Sequence, residues 1–102
     1  MAASRELSKA IFGNADRLGV AEYIAASPDG LIYATEIARS LDIPQNRARA
    51  QLLAFAEAGL LRPLPRDLDR RAFFSRENDD FWEAMNSLSR ALGVAPEDAA
   101  RD

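Results

Sequence analysis

Gln45, Asn46, Arg47 and Arg49 cluster in the stretch IPQNRARAQLL, Ile43 to Leu53. Their planar amide and guanidinium groups make paired hydrogen bonds: Arg to the O6/N7 edge of guanine or to phosphate, Gln and Asn to the N6/N7 edge of adenine. The small Ala50 beside them permits close approach of such a surface. The stretch reads as a helix start, because Pro44 is tolerated in a first turn and the run after it lacks glycine and β-branched residues. The positive end of a helix dipole favours acids, yet Arg47 and Arg49 stand there, and neither has an acid three or four residues away. A solvated helix face is the ordinary explanation of charged helix residues. The missing acids point instead to an anion supplied from outside the chain.

A second group of arginines follows in LLRPLPRDLDRRAFFSREN. Arg66, Arg70 and Arg71 lie on the charged connection of a short apolar and aromatic hairpin, with Arg62 on its first strand. They suit the backbone or minor groove of a nucleic acid, with Arg62 as a further phosphate contact. Asp67 and Asp69 dilute this signal, and local pairing with them is the competing explanation.

Other chemistries are excluded. The chain has no cysteine and no histidine, so disulfides, thiolate or imidazole metal sites, Cys or His nucleophiles and Ser-His-Asp triads are absent. No nucleophile–base pair or phosphate loop is visible, so the function expected is binding, without catalysis or cofactor. Asp79, Asp80 and Glu83 could hold a hard cation, but acids at a helix start explain them better, and no metal site is assigned. No apolar run reaches the length of a signal region or membrane span, so a cytoplasmic protein with no membrane partner is expected.

The net charge of −3 hides a regional pattern. Residues 39–76 hold eight arginines against four acids, whereas both flanks are acidic. Local charge steers a polyanion better than the whole-chain sum does.

The elements that would position these residues are mainly helical. With 102 residues, nearly half of them hydrophobic, the chain is expected to form one domain over residues 1–93, followed by a flexible tail at 94–102. Leu7, Ala10 and Ile11 predict a helix over about residues 5–12. Asn14 is expected to cap a second helix carrying Leu18, Ala21 and Ala25, with Gly19 marking close packing against a neighbour. SPDG, Ser27 to Gly30, predicts a type I turn and LIY a single extended bridge. ATEIARSLDI gives a helix of about two turns with a tight exit. The helix of the opening stretch runs to Ala58, burying Ala48, Leu52, Phe55 and Ala56, with Gly59 as its left-handed stop. Pro63 and Pro65 confine the first hairpin strand to a sheet edge. Asn78 caps a last helix whose stripe of Phe81, Trp82, Met85, Leu88 and Leu92 is more aromatic than a core this small requires; core packing and a partner surface both remain open.

Two helices joined by a turn of about three residues, followed by a basic hairpin, are the parts of a helix-turn-helix with a wing. The resemblance becomes specific in TEIARSLDIPQNRARAQLLAFAEAGLL. It resembles ArsR-like and MarR-like winged-helix repressors, whose recognition helix ends in a Leu-x-x-Leu/Phe-x-x-Ala-Gly-Leu run, met here by Leu52, Phe55, Ala58, Gly59 and Leu60. FGNADRLGVAEYIA is similar to the segment opening the second helix of ArsR-like proteins, and RRAFFSREN to their second wing strand. Together these cover roughly residues 8–92. The fold expected is winged helix-turn-helix: mainly α, about five helices, and a wing sheet of two to three strands.

The resemblance also implies a function and an assembly. It suggests a small ArsR-like transcriptional regulator of double-stranded DNA, with a recognition helix over about 45–58 in the major groove and a wing over about 62–74. ArsR-like regulators dimerise through their first and last helices, which would place Leu7, Ile11, Phe12, Phe81, Trp82, Met85, Leu88 and Leu92 at a two-fold interface. Two recognition helices roughly 34 Å apart then predict a near-palindromic operator. Metal sensors of the family bind their ion with Cys or His, which this chain lacks, so metal sensing of that type is not expected and the effector is unassigned. LGVAEYIAASPDG with the same helix-turn-helix also resembles the N-terminal dimerisation domain of small-molecule O-methyltransferases, an interaction module that touches no DNA. Against it, no glycine-rich cofactor region follows and such domains have no need of arginines at this helix start.

Overall fold

A computed structural model describes residues 2–65 and 73–93. The expected tip of the wing, with Arg66, Arg70 and Arg71, and the expected tail lie outside the described residues. The elements are α1 (Ala2–Phe12), α2 (Arg17–Ala26), β1 (Leu31–Tyr33), α3 (Ala34–Leu41), α4 (Gln45–Glu57), β2 (Leu61–Leu64), β3 (Phe73–Arg76) and α5 (Asp79–Leu92).

The core forms around α2. Leu18, Val20 and Ile24 are fully buried, and Ala21 and Ala25 nearly so. An element buried on several sides needs no polar stripe, and α2 meets α1, α3, α4 and α5. Ile32 of β1, Ile37 of α3, Leu52 of α4 and Trp82 of α5 complete the cluster.

The helix starts differ from expectation. Helix α1 begins at Ala2, and Asn14 does not cap α2. Its Oδ1 accepts the Asp16 amide N–H at 2.9 Å, and the helix starts at Arg17. The reason is competition: an Asn side chain bonded to the backbone two residues on makes a turn of its own. Nor does the Asn78 side chain cap α5; the residue is left-handed, at φ 64°, and makes no side-chain cap bond. Gly19 is not a forced close approach, since a Cβ there would lie 3.6 Å from Leu41 Cδ1, an ordinary contact.

Other signals match their elements. The SPDG segment is held by side chains, with Ser27 Oγ accepting the Gly30 N–H and Asp29 Oδ1 accepting that of Leu31. Helix α4 closes at Gly59, φ 83°. There the Gly59 N–H bonds the Ala56 carbonyl and the Leu60 N–H that of Phe55, a Schellman pair that requires the left-handed backbone glycine permits.

The sheet is antiparallel in the order β1-β3-β2. Leu31 to Tyr33 pair with Ser75 to Phe73, and Leu61 to Leu64 with Arg76 to Phe73. LIY is thus a full strand, which β3 extends into a three-stranded sheet. Pro63 sits on the edge strand β2, where a missing N–H costs nothing.

Candidate nucleic-acid interface

Helix α4 is set against α3 by the turn Asp42–Pro44. Asp42 is left-handed at φ 56°, and the Ile43 N–H returns to the Ala38 carbonyl at 3.0 Å. Pro44 is extended, and its carbonyl accepts the N–H groups of Arg47 and Ala48. Ala48, Gln51, Leu52 and Phe55 face inward. The outward stripe is Gln45, Asn46, Arg49, Ala50 and Leu53, all exposed. Arg49 makes no hydrogen bond or ion pair with any described residue.

Arg47 behaves otherwise. Its Nε donates to Asp16 Oδ2 at 2.9 Å and its Nη2 to Asp16 Oδ1 at 2.7 Å. Arg5 of α1 adds a third bond, Nη1 to Asp16 Oδ1 at 2.9 Å. The Asp16 side chain is 8% exposed, against 43% for Arg47. The Arg47 guanidinium, with help from Arg5 and against the cost of burial, holds the Asp16 carboxyl below its ordinary value. For Arg47, then, the anion comes from the same chain, and the expectation that it lacks one is corrected. A carboxylate 31 residues away is invisible to a search of neighbouring helix positions.

A second polar link lies one turn along α4. Arg17 Nε donates to Gln51 Oε1 at 2.8 Å, and Gln51 Nε2 donates to Asn14 Oδ1 at 3.2 Å. Ser8 of α1 donates to the Asn14 carbonyl and accepts the Leu18 N–H, tying the α1–α2 turn to both helices. Sequence reasoning passed over Asp16, Arg17 and Gln51 as site residues. The one available signal was the pair of Asx residues, Asn14 and Asp16, in a single turn.

The other arginines divide. Arg62, exposed on β2, faces Glu77 at 3.4 Å. Arg76 is turned inward, where its Nη1 donates to the carbonyls of Ile24, Ala25 and Ser27 and closes the end of α2. Its charge therefore adds little to a basic surface. Arg39, on the last turn of α3, is exposed and unpaired among the described residues.

The side chains assigned to a partner interface also divide. Trp82 is 2% exposed; its Nε1 donates to the Leu60 carbonyl at 3.1 Å, and its ring meets Phe55 and Phe81 edge-on. Met85 is buried too. Both belong to the single chain's core, which the aromatic content of the stripe did not distinguish from a contact surface. Leu7, Phe81, Leu88 and Leu92 are half-buried against that core, and Ile11 and Phe12 are exposed.

Among the described residues no helix is long and apolar enough to cross a membrane, and no group of three or more Asp or Glu side chains could hold a metal ion. No protein-family model and no curated protein matches the chain. Two solved structures do. One is the AntR antimony-specific transcriptional repressor, at 18% identity and a TM-score of 0.64, covering 99% of this chain and 84% of that one. The other is MepR, a transcription regulator of the Staphylococcus aureus multidrug efflux pump MepA, at 15% identity and a TM-score of 0.63, covering 98% and 78%. At these identities the likeness speaks to fold, and the fold of this chain is a winged helix-turn-helix: five helices and a three-stranded antiparallel sheet.

Proposed function

We propose that the chain is a sequence-specific regulator of transcription that binds double-stranded DNA as a homodimer. The observation that carries this reading is the outward stripe of α4. It presents Gln45, Asn46, Arg49 and Ala50 on the second helix of the motif, with Arg49 unmatched by any described acid. It is supported by the shared fold of AntR and MepR, both transcription regulators. In this reading Arg49 pairs with a guanine, Gln45 and Asn46 meet adenines or phosphates, and Arg62 with the wing arginines 66, 70 and 71 follows the backbone. The exposed Ile11 and Phe12, together with the half-buried Leu7, Leu88 and Leu92, supply the two-fold contact.

A titration against random-sequence duplex DNA at several salt concentrations tests the proposal. A dimer covering about six to eight phosphates gives a slope of log K against log salt of roughly −5 to −7. Absence of binding at low salt would sink it. That result would favour a winged-helix interaction module, for which Leu53, 48% exposed on the same face, is the specific support.

A further inference from the structure

We infer that Arg47 is a positioning residue: through its two-pronged bond to Asp16 it fixes the rotation of α4 about its own axis, and so decides which side chains the helix presents to DNA. The inference rests on the DNA-binding reading and refines it, because Arg47 is thereby withdrawn from the contact surface.

The geometry supports this in three ways. First, α4 is pinned twice on one face, at Arg47 by Asp16 and at Gln51 by Arg17 and Asn14. Residues four apart lie above one another on a helix, so two such pins oppose rotation as well as displacement. Second, the pins come from outside the helix-turn-helix. Asp16 belongs to the α1–α2 turn, and Arg5 ties it further to α1. Hydrophobic contact alone tolerates small rotations, whereas a bidentate guanidinium–carboxylate pair is directional. Third, α4 has no acid in its first turn, and the Asp16 carboxylate supplies from the α1–α2 turn the counter-charge that Arg47 lacks on its own helix. Asn46, Arg49 and Ala50 then face outward because Arg47 and Gln51 are tied to the α1–α2 turn and the start of α2.

The experiment compares wild type with Asp16→Asn, Arg47→Lys, Arg5→Ala and the double variant Asp16→Asn/Arg47→Lys. Each is titrated on a duplex selected from a random pool by the wild-type protein and on random duplex, with unfolding midpoints measured alongside. Arg47→Lys keeps the charge and loses the fork, so it separates positioning from phosphate contact even if Asp16→Asn folds poorly. The expected result is a loss of about tenfold in the ratio of selected to random affinity, the size of one lost bidentate base contact, with the random-duplex salt slope unchanged. The double variant should be no worse than the more damaging single one, because both changes break one contact. Arg5→Ala should give a smaller loss.

An unchanged ratio in Arg47→Lys overturns the inference. So does tighter, more salt-dependent binding by Asp16→Asn, since that would show Arg47 released to reach a phosphate. Wild type that binds no duplex at all overturns the DNA-binding reading itself, and this inference with it.

Discussion

Arg49 and Arg47 stand two positions apart on α4, and that spacing turns them to different surroundings. Arg49 faces outward with no described acid to bond, whereas Arg47 is matched to Asp16. Under the proposed function, Arg49→Ala should weaken binding to a selected site by about 1–3 kcal/mol and relax base preference at one position per half-site, readable by repeating the selection. On α2, Glu22 is 7% exposed. Ser89 on α5 offsets part of its shift without reaching hydrogen-bond geometry, so Glu22 Oε2 stays buried and unpartnered among the described residues. Burial pushes its carboxyl up to about 7 from an ordinary 4.5. The folded form therefore keeps a proton that the unfolded chain has lost, so stability falls as pH rises from 4.5 to about 7 and is level above that. Glu22→Gln should remove this slope and be more stable than wild type at alkaline pH by up to roughly 3 kcal/mol, measured by denaturant melts across the range. Asp16 works in the opposite sense and in a separate window. Its depressed folded value means its stabilisation is present above the ordinary 3.8 and lost only as the pH falls below it.

Among the elements, α2 and α4 carry different signals in their sequences. The inward positions of α4 at Ala48, Leu52 and Phe55 follow helical periodicity, because only one side of that helix meets the core. In α2 apolar residues occur all round, and its neighbours decide its placement. Gly19 in that helix faces Leu41 with space for a methyl group, so Gly19→Ala should raise the unfolding midpoint through about 1 kcal/mol of helix propensity. A lower midpoint would show that the α2–α3 contact is tighter than 3.6 Å implies. The end of α2 is closed by Arg76, a residue of β3 and 52 positions from Ile24. No local cap signal announces it, since Ser27 and Gly30 already explain a turn there. The hairpin was legible because Pro63 can stand only where no ladder bond is needed. LIY was legible as an extended bridge in a sheet of two to three strands, but its pairing with β3 was not, because a three-residue segment has too little periodicity to show its register.

For the molecule as a whole, the last helix packs against α2. Trp82 and Met85 close the core, so Trp82→Ala should cost about 3–5 kcal/mol of folding stability and lower the unfolding midpoint. The exposed Ile11 and Phe12 leave the core unaffected. If the proposed dimer forms there, Ile11→Asp with Phe12→Asp should convert it to a monomer in sedimentation while the unfolding cooperativity of the chain is kept. Retention of the dimer would place the interface elsewhere.

The sequence by itself determined the helix-turn-helix, the edge position of β2, the left-handed stop at Gly59 and the outward placement of Gln45, Asn46 and Arg49. All of these are local: they follow from spacing within a few turns, from proline's missing donor and from glycine's permitted backbone. Tertiary structure alone decided that Arg47 meets Asp16, that Arg76 closes α2 and that Trp82 turns inward. Each depends on groups brought together across 22 to 52 positions of chain. Charge spacing along a helix shows where an anion is wanted, and only the packing of α1 and α2 against α4 shows that the protein supplies one itself.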